Sequence, residues 1–307
     1  MAHQPLRMPG PQRRKCQAQC WRLLPQLMAL LLLPLPFLPA AAHEYWLDPE
    51  RPVAGARTPL RANARVGQFF IGEALPWLPD AVARLGIVDG KGQRIPQRIP
   101  GDMPMFDDAV RQPGLQILYL ETHPERLRWE TWEKFIGFLR EKRLENLAEE
   151  HKRRGLPEKG FVELYVRHAK ALLWRGKEPQ PDTGSAARDH AVGLRLELVM
   201  LDDPFHPSAS SAGKVRVQLL WQGKPLPDAD VQLFSRPAGQ RQQESMPRHF
   251  TTDANGIAVV PVRSGHDHLL NAVIMLPLKP SEKAADNAHG AVWISHWASL
   301  TFTTPSR

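Results

Sequence analysis

The run Ala40-Ala41-Ala42-His43 places a histidine directly after three small residues. A cut after Ala42 makes His43 the N-terminus. It then carries two nitrogen donors, the free α-amine and the imidazole, which close one chelate ring around a metal ion. A cut after Ala40 gives Ala-Ala-His instead, a free amine with histidine third, which also chelates copper and nickel. Both products offer borderline nitrogen ligands suited to copper, nickel or cobalt. The competing reading makes His43 only the first residue of an edge strand.

The other histidines are dispersed. His266-Asp267-His268 is the best pair, because residues two apart on an extended segment share a face and can grip one ion. In a turn the same pair is simply solvated. His296 lies near the start of the last strand and can approach the end of the strand after His268, since sequential strands often neighbour each other. The expected metal-binding set is therefore His43, His266, His268 and His296, holding a Ni, Co or Cu ion. His168 reads as a packing residue. Met103 and Met105 sit in a Pro-rich loop, where methionine more often packs than binds copper.

Catalysis has little support. The chain lacks a G-x-S-x-G elbow, an H-E-x-x-H helix and a phosphate-cradling glycine loop. Glu130, Glu133, Glu141 and Glu145 alternate with Lys134, Arg140, Lys142 and Arg143, the pattern of a solvated helix face. The chain is read as a non-enzyme. An oxidative copper enzyme on His43 is the alternative that needs a second histidine beside it.

The segment before His43 predicts export. Arg7, Arg13, Arg14, Lys15 and Arg22 form a basic region, Leu27 to Leu38 an apolar one, and Ala40 and Ala42 satisfy the small-residue cleavage rule. The apolar run is broken by Pro34 and Pro36 and falls short of the roughly 20 residues a spanning helix needs. Segment 1–42 is therefore expected to be a removable signal, and the mature chain a periplasmic protein that does not itself span a membrane. Cys16 and Cys20, the two cysteines of the chain, both lie in this segment. Setting aside its five basic residues leaves 35 basic against 32 acidic, a net charge of +3. That is too mild to predict a nucleic-acid partner.

The elements that must carry these histidines read as mainly β. Thr58 to Val66, Val82 to Val88 and Leu115 to Glu121 are strand candidates in a β-rich domain over 43–192. Residues 129–154 and 160–175 predict two helices inserted in it, at about 129–175, with Gly155 and Pro157 between them. After them, Leu194 to Met200, Val215 to Trp221, Asp230 to Phe234, Ile257 to Val262, Leu269 to Leu276 and Val292 to Phe302 alternate. Six such strands predict an immunoglobulin-like or prealbumin-like β-sandwich over 193–307.

Several of these segments carry a resemblance. His43-Glu44-Tyr45-Trp46-Leu47, GLRLELVMLDDPF at 193–205, LWQGKPLPDADVQL at 220–233, TTDANGIAVV at 251–260, HWASLTF at 296–302 and YVRHAKALL at 165–173 together resemble one family. It is an exported bacterial family of unassigned function, often labelled as the periplasmic component of cobalt or nickel uptake. The resemblance implies a two-part β-rich periplasmic protein with a transition-metal role, and membrane metal-transporter subunits as partners. In the family, His43 is the one plausible ligand of the N-terminal motif, and Ile274 stands where a histidine is common. A structural or interaction module that binds an exported partner without metal is the reading from a different class.

Overall fold

The computed structural model describes Met1 and residues 43–177, 188–205, 213–279 and 288–306. The basic and apolar parts of the expected signal, with the cleavage positions Ala40 to Ala42, lie outside the described residues. So do His206 and most of the polar linker.

The first part of the chain holds β1 (Glu44–Pro49), β2 (Val53–Ala54), β3 (Leu60–Gln68), β4 (Ile71–Leu75), β5 (Val82–Asp89), β6 (Gly92–Arg94), β7 (Phe106–Asp108), β8 (Gly114–Thr122) and β9 (Glu125–Trp129). Helices α1 (Trp132–Glu141) and α2 (Asn146–Arg153) follow, then the 15-residue strand β10 (Phe161–Arg175). The remainder is β11 (Leu196–Met200), β12 (Lys214–Trp221), β13 (Lys224–Pro225), β14 (Asp230–Pro237), β15 (Arg248–Thr251), β16 (Ile257–Pro261), β17 (His266–Pro277) and β18 (Ala291–Thr304).

These strands form three sheets. A central ten-stranded sheet runs β15-β14-β17-β18-β10-β8-β5-β6, with β2 and β9 also paired to β10. Its middle is the parallel pair β10 and β18, in register from Glu163 opposite Trp293 to Ala171 opposite Thr301. A four-stranded sheet of β1, β3, β4 and β7 covers one face, and another of β11, β12, β13 and β16 covers the other. The second of these packs on β14, β17 and β18, which is the expected C-terminal sandwich. The central sheet crosses the expected boundary at 192/193, so the two halves share one layer and residues 41–307 form one compact unit.

The expected helix over 160–175 is strand β10. Both faces of β10 are buried, so its sequence shows no clean two-residue alternation, as in strands covered on both sides. Its spacing of Phe161, Leu164, Tyr165, His168, Leu172 and Leu173 imitates a helical face. The expected helix over 129–154 is present but broken at Lys142 to Glu145, leaving α1 and α2. Thr131 caps α1, accepting a hydrogen bond from the Lys134 backbone N–H. Phe135, Phe138 and Leu139 bury against Trp129, Trp293 and Trp297 of the central sheet.

Residue parity decides which layer each side chain meets. On β10, Leu172 and Trp174 enter the core shared with β11 and β12, while Ala169, Ala171 and Leu173 enter the core shared with β1 and β3. On β18, Ala298, Leu300 and Phe302 face β11 and β12, while Trp293 and Trp297 face the helices. One buried cation ties two of the layers. Lys170 Nζ lies 2.9 Å from Asp189 and 3.2 Å from Glu197 of β11, all three side chains 1% exposed. Removing one member of such a cluster strands the others in a medium of low dielectric. Lys170→Met is expected to cost about 3–5 kcal/mol, read as a lower urea midpoint at neutral pH. A change below about 1 kcal/mol contradicts the tie.

Candidate functional site

His43 immediately precedes β1, on the face of the central sheet that carries the helices. The ionisable groups acting on it are Glu44, Arg167, Glu141 and Lys142. Glu44 starts β1 opposite Gly67. Its carboxylate accepts from Lys142 Nζ at 2.7 Å, just past the C-terminal end of α1, and both side chains are buried. Lys142 Nζ also donates to Gln232 Oε1 at 3.1 Å and lies 5.2 Å from the centre of the Trp297 ring. The end of β1 is thus fixed between α1 and the sheet. His43 itself is half-buried, and its Nδ1 is buried without a hydrogen-bond partner. Burial pushes its pKa below the usual histidine value, against the opposing charge of Glu44.

The other three expected ligands sit elsewhere. His266, His268 and His296 share the parity of Ala298 and Leu300, so they face β11 and β12, across the sheet from His43. His268 opposes Phe302 and His296 opposes Ile274. Phe302 and His296 are six residues apart along β18, roughly 20 Å. The expected set therefore divides into three places, because one strand cannot present one residue to both faces and because the register sets His268 far from His296.

His266 and His268 do share a face, as their spacing predicts, with ring centres 6.3 Å apart. The nitrogens of His268 are engaged, however. Nδ1 bonds Ser235 Oγ at 2.8 Å and Nε2 approaches the Arg263 carbonyl at 3.4 Å. His266 Nδ1 bonds the Ser264 carbonyl at 2.9 Å. This pair closes the end of the sandwich and does not converge on a common point. Among the described residues, no three His, Cys, Asp or Glu side chains form a group that could hold a metal ion. Met105 is buried and Met103 is exposed, so the two do not form a thioether pair facing one way.

One juxtaposition escapes the sequence. His168 of β10 and His296 of β18 lie on adjacent strands, His296 standing opposite Val166, two residues from His168. Their Nε2 and Nδ1 atoms are 3.2 Å apart. Both side chains are buried. His168 was expected on a helix, and only the strand assignment of 161–175 with its register brings it to His296. His151 is held by structural hydrogen bonds. His151 Nδ1 accepts from Trp293 Nε1 at 3.0 Å, and its Nε2 meets the Pro157 carbonyl.

Buried ionisable groups make stability depend on pH. Burial lowers His268 and His296 to about 3. Each titrates near 6.5 when unfolded, so the unfolded chain binds more protons and stability is lost as pH falls below about 6.5. Glu163 works the other way, since burial raises it to about 7 despite donors from Ser295 and Trp129. His268→Gln is expected to flatten the stability profile between about pH 6 and pH 4 by up to about 1.4 kcal/mol per pH unit. Urea titrations at three pH values check this, and parallel profiles for the two proteins contradict it.

No curated relative matches the sequence. Among solved structures, the D0-D1 domain of intimin aligns at 11% identity over 85% of this chain and 98% of that one, with a TM-score of 0.19. A tetra-tandem repeat from the extending region of a large adhesion protein aligns at 12% identity over 85% and 49%, with a TM-score of 0.18. Salmonella alpha-2-macroglobulin reacted with methylamine aligns at 12% identity over 86% and 15%, with a TM-score of 0.20. TM-scores this low carry no argument about function. A family profile matches residues 40–275, from just before His43 through most of β17. The chain belongs to that family, described as a domain of unknown function (DUF4198).

Proposed function

We propose that this is an exported transition-metal-binding protein serving metal uptake or handling, with the ion anchored on His43 once segment 1–42 is removed. The observation that carries the proposal is the Nδ1 of His43, a buried nitrogen with no partner. It is the imidazole atom that closes a chelate ring with the α-amine of the same residue. Burial holds this imidazole in the neutral form that a metal requires. A cut after Ala42 leaves β1 whole, because β1 begins at Glu44. Glu141 is the half-exposed anionic neighbour; its carboxylate pairs with Lys142 Nζ at 2.9 Å, and turning from that pair would offer an oxygen donor. Nickel, cobalt and copper suit a nitrogen-rich site of this kind. Membrane transporter subunits are the partners that would receive the ion, and the periplasm is where it would be collected.

A binding role is favoured over turnover by the groups around His43. An oxidative copper centre there needs a second imidazole, and the ionisable neighbours of His43 are two carboxylates, a guanidinium and an ammonium. The experiment is calorimetric titration of Ni²⁺, Co²⁺ and Cu²⁺ into protein processed through its own signal. A copy carrying one extra N-terminal Met runs beside it. Tight binding of one ion by the processed chain, weakened at least about 100-fold in the extended copy, is expected. Equal binding in both, or none in either, overturns the reading and leaves the interaction module.

A further inference from the structure

We infer a second, separate site that binds a monovalent d10 cation, Cu⁺ or its redox-inert analogue Ag⁺, between His168 Nε2 and His296 Nδ1. The two nitrogens are 3.2 Å apart and meet hydrogen-bond alignment. The ring planes differ by 18° and the ring centres are 5.5 Å apart. That centre-to-centre distance is what nearly coplanar imidazoles reach when two nitrogens 3.2 Å apart point at each other along the line of centres. Rings stacked face to face lie closer. The lone-pair directions are therefore in line, not converging as they do around a tetrahedral ion.

An in-line nitrogen pair is the arrangement of a two-coordinate monovalent ion. Tetrahedral zinc and octahedral nickel need further donors. Among the described residues no third His, Cys, Asp or Glu joins such a group. Two metal–nitrogen bonds of about 2 Å laid end to end span about 4 Å, so the rings need only a sub-ångström separation to admit the ion. In the metal-free protein one ring donates its N–H to the other. Binding requires His168 to offer Nε2 and His296 to offer Nδ1, so the mobile protons sit on His168 Nδ1 and His296 Nε2. No proton leaves and no electron moves.

The surroundings suit one positive charge. His168 Nδ1 is buried and lies 3.3 Å from Glu121 Oε2, in ion-pair range but without an aligned hydrogen bond. Once the His168 Nδ1–H turns toward it, this carboxylate fixes the tautomer of the ligating imidazole and raises its basicity. Burial works against the ionised form of Glu121, yet His168, Arg84 and Arg195 hold its pKa below the usual carboxylate value. Its single negative charge balances a monovalent ion and leaves a divalent ion with uncompensated charge in the core. Arg195, the other charged group acting on His296, is exposed and screened by water. Trp221 packs 4.7 Å from the His296 ring and shields it, while Glu121 is partly exposed at the rim.

This site does not depend on the reading of His43, and the sheet separates the two. The test therefore uses the full chain carrying His43→Ala with Cys16→Ser and Cys20→Ser, which removes the competing thiols, titrated with Ag⁺ and followed by ¹⁵N resonances of histidine-labelled imidazoles. One Ag⁺ per chain is expected, with His168 Nε2 and His296 Nδ1 shifting together and showing coupling to silver. Glu121→Gln is expected to weaken binding about tenfold or more, and His296→Gln to abolish it. Absent Ag⁺ binding, or binding with both imidazole signals unmoved, overturns the inference. The resonance readout needs no core variant, so a misfolded His296→Gln protein leaves the conclusion intact.

Discussion

The parallel pairing of β10 with β18 is the constraint on which the structure depends. Both strands run the length of the central sheet and are buried on both faces. Side chains alternate across such a strand, so each residue is committed to one outer layer by its position alone. That alternation puts Trp297 under α1 and Ala298 under β11, and it puts His296 on the opposite side from His43. A one-residue slip would exchange every one of these assignments. The ligand groupings follow from the register, not from the abundance of histidine.

Buried ion pairs reinforce that register at particular places. Lys142 joins α1 to Glu44 of β1, and Lys170 joins β10 to Glu197 of β11. Asp48 of β1 meets Arg65 at 2.7 Å and Arg241 at 2.8 Å, and Arg236 stacks its guanidinium 3.8 Å from the centre of Phe70. Buried pairs are weak sources of net stability. Each of these, however, satisfies only one arrangement of the layers. Lys142 and Glu44 also fix the start of β1, so His43 is presented at a set position beside Glu141 and Arg167 rather than on a loose end.

Much of the β architecture was legible because most strands keep one wet or differently packed face. Val215 to Trp221 alternates cleanly, and β12 spans Lys214–Trp221. Val82 to Val88 and Leu115 to Glu121 likewise became β5 and β8. Strand β10 was not legible. Its charged residues Glu163, Arg167 and Lys170 look like the polar side of a helix, yet all three are buried. Lys170 meets Asp189 and Glu197, which lie well along the chain, and no local pattern reports that. The HDH spacing correctly gave a shared face for His266 and His268. What those rings touch, the Ser235 hydroxyl and the Arg263 carbonyl, depends on β14 and on a turn. The His168–His296 pair is a product of register between strands more than a hundred residues apart, which spacing cannot encode.

The sheet keeps His266, His268 and His296 on the far side from His43, and the proposed site rests on the α-amine and imidazole of that one residue. Pulsed EPR of the processed, Cu²⁺-loaded protein with ¹⁵N-labelled histidine counts the coordinated imidazoles directly. The account predicts coupling from a single imidazole. Two or more coupled imidazoles would contradict it.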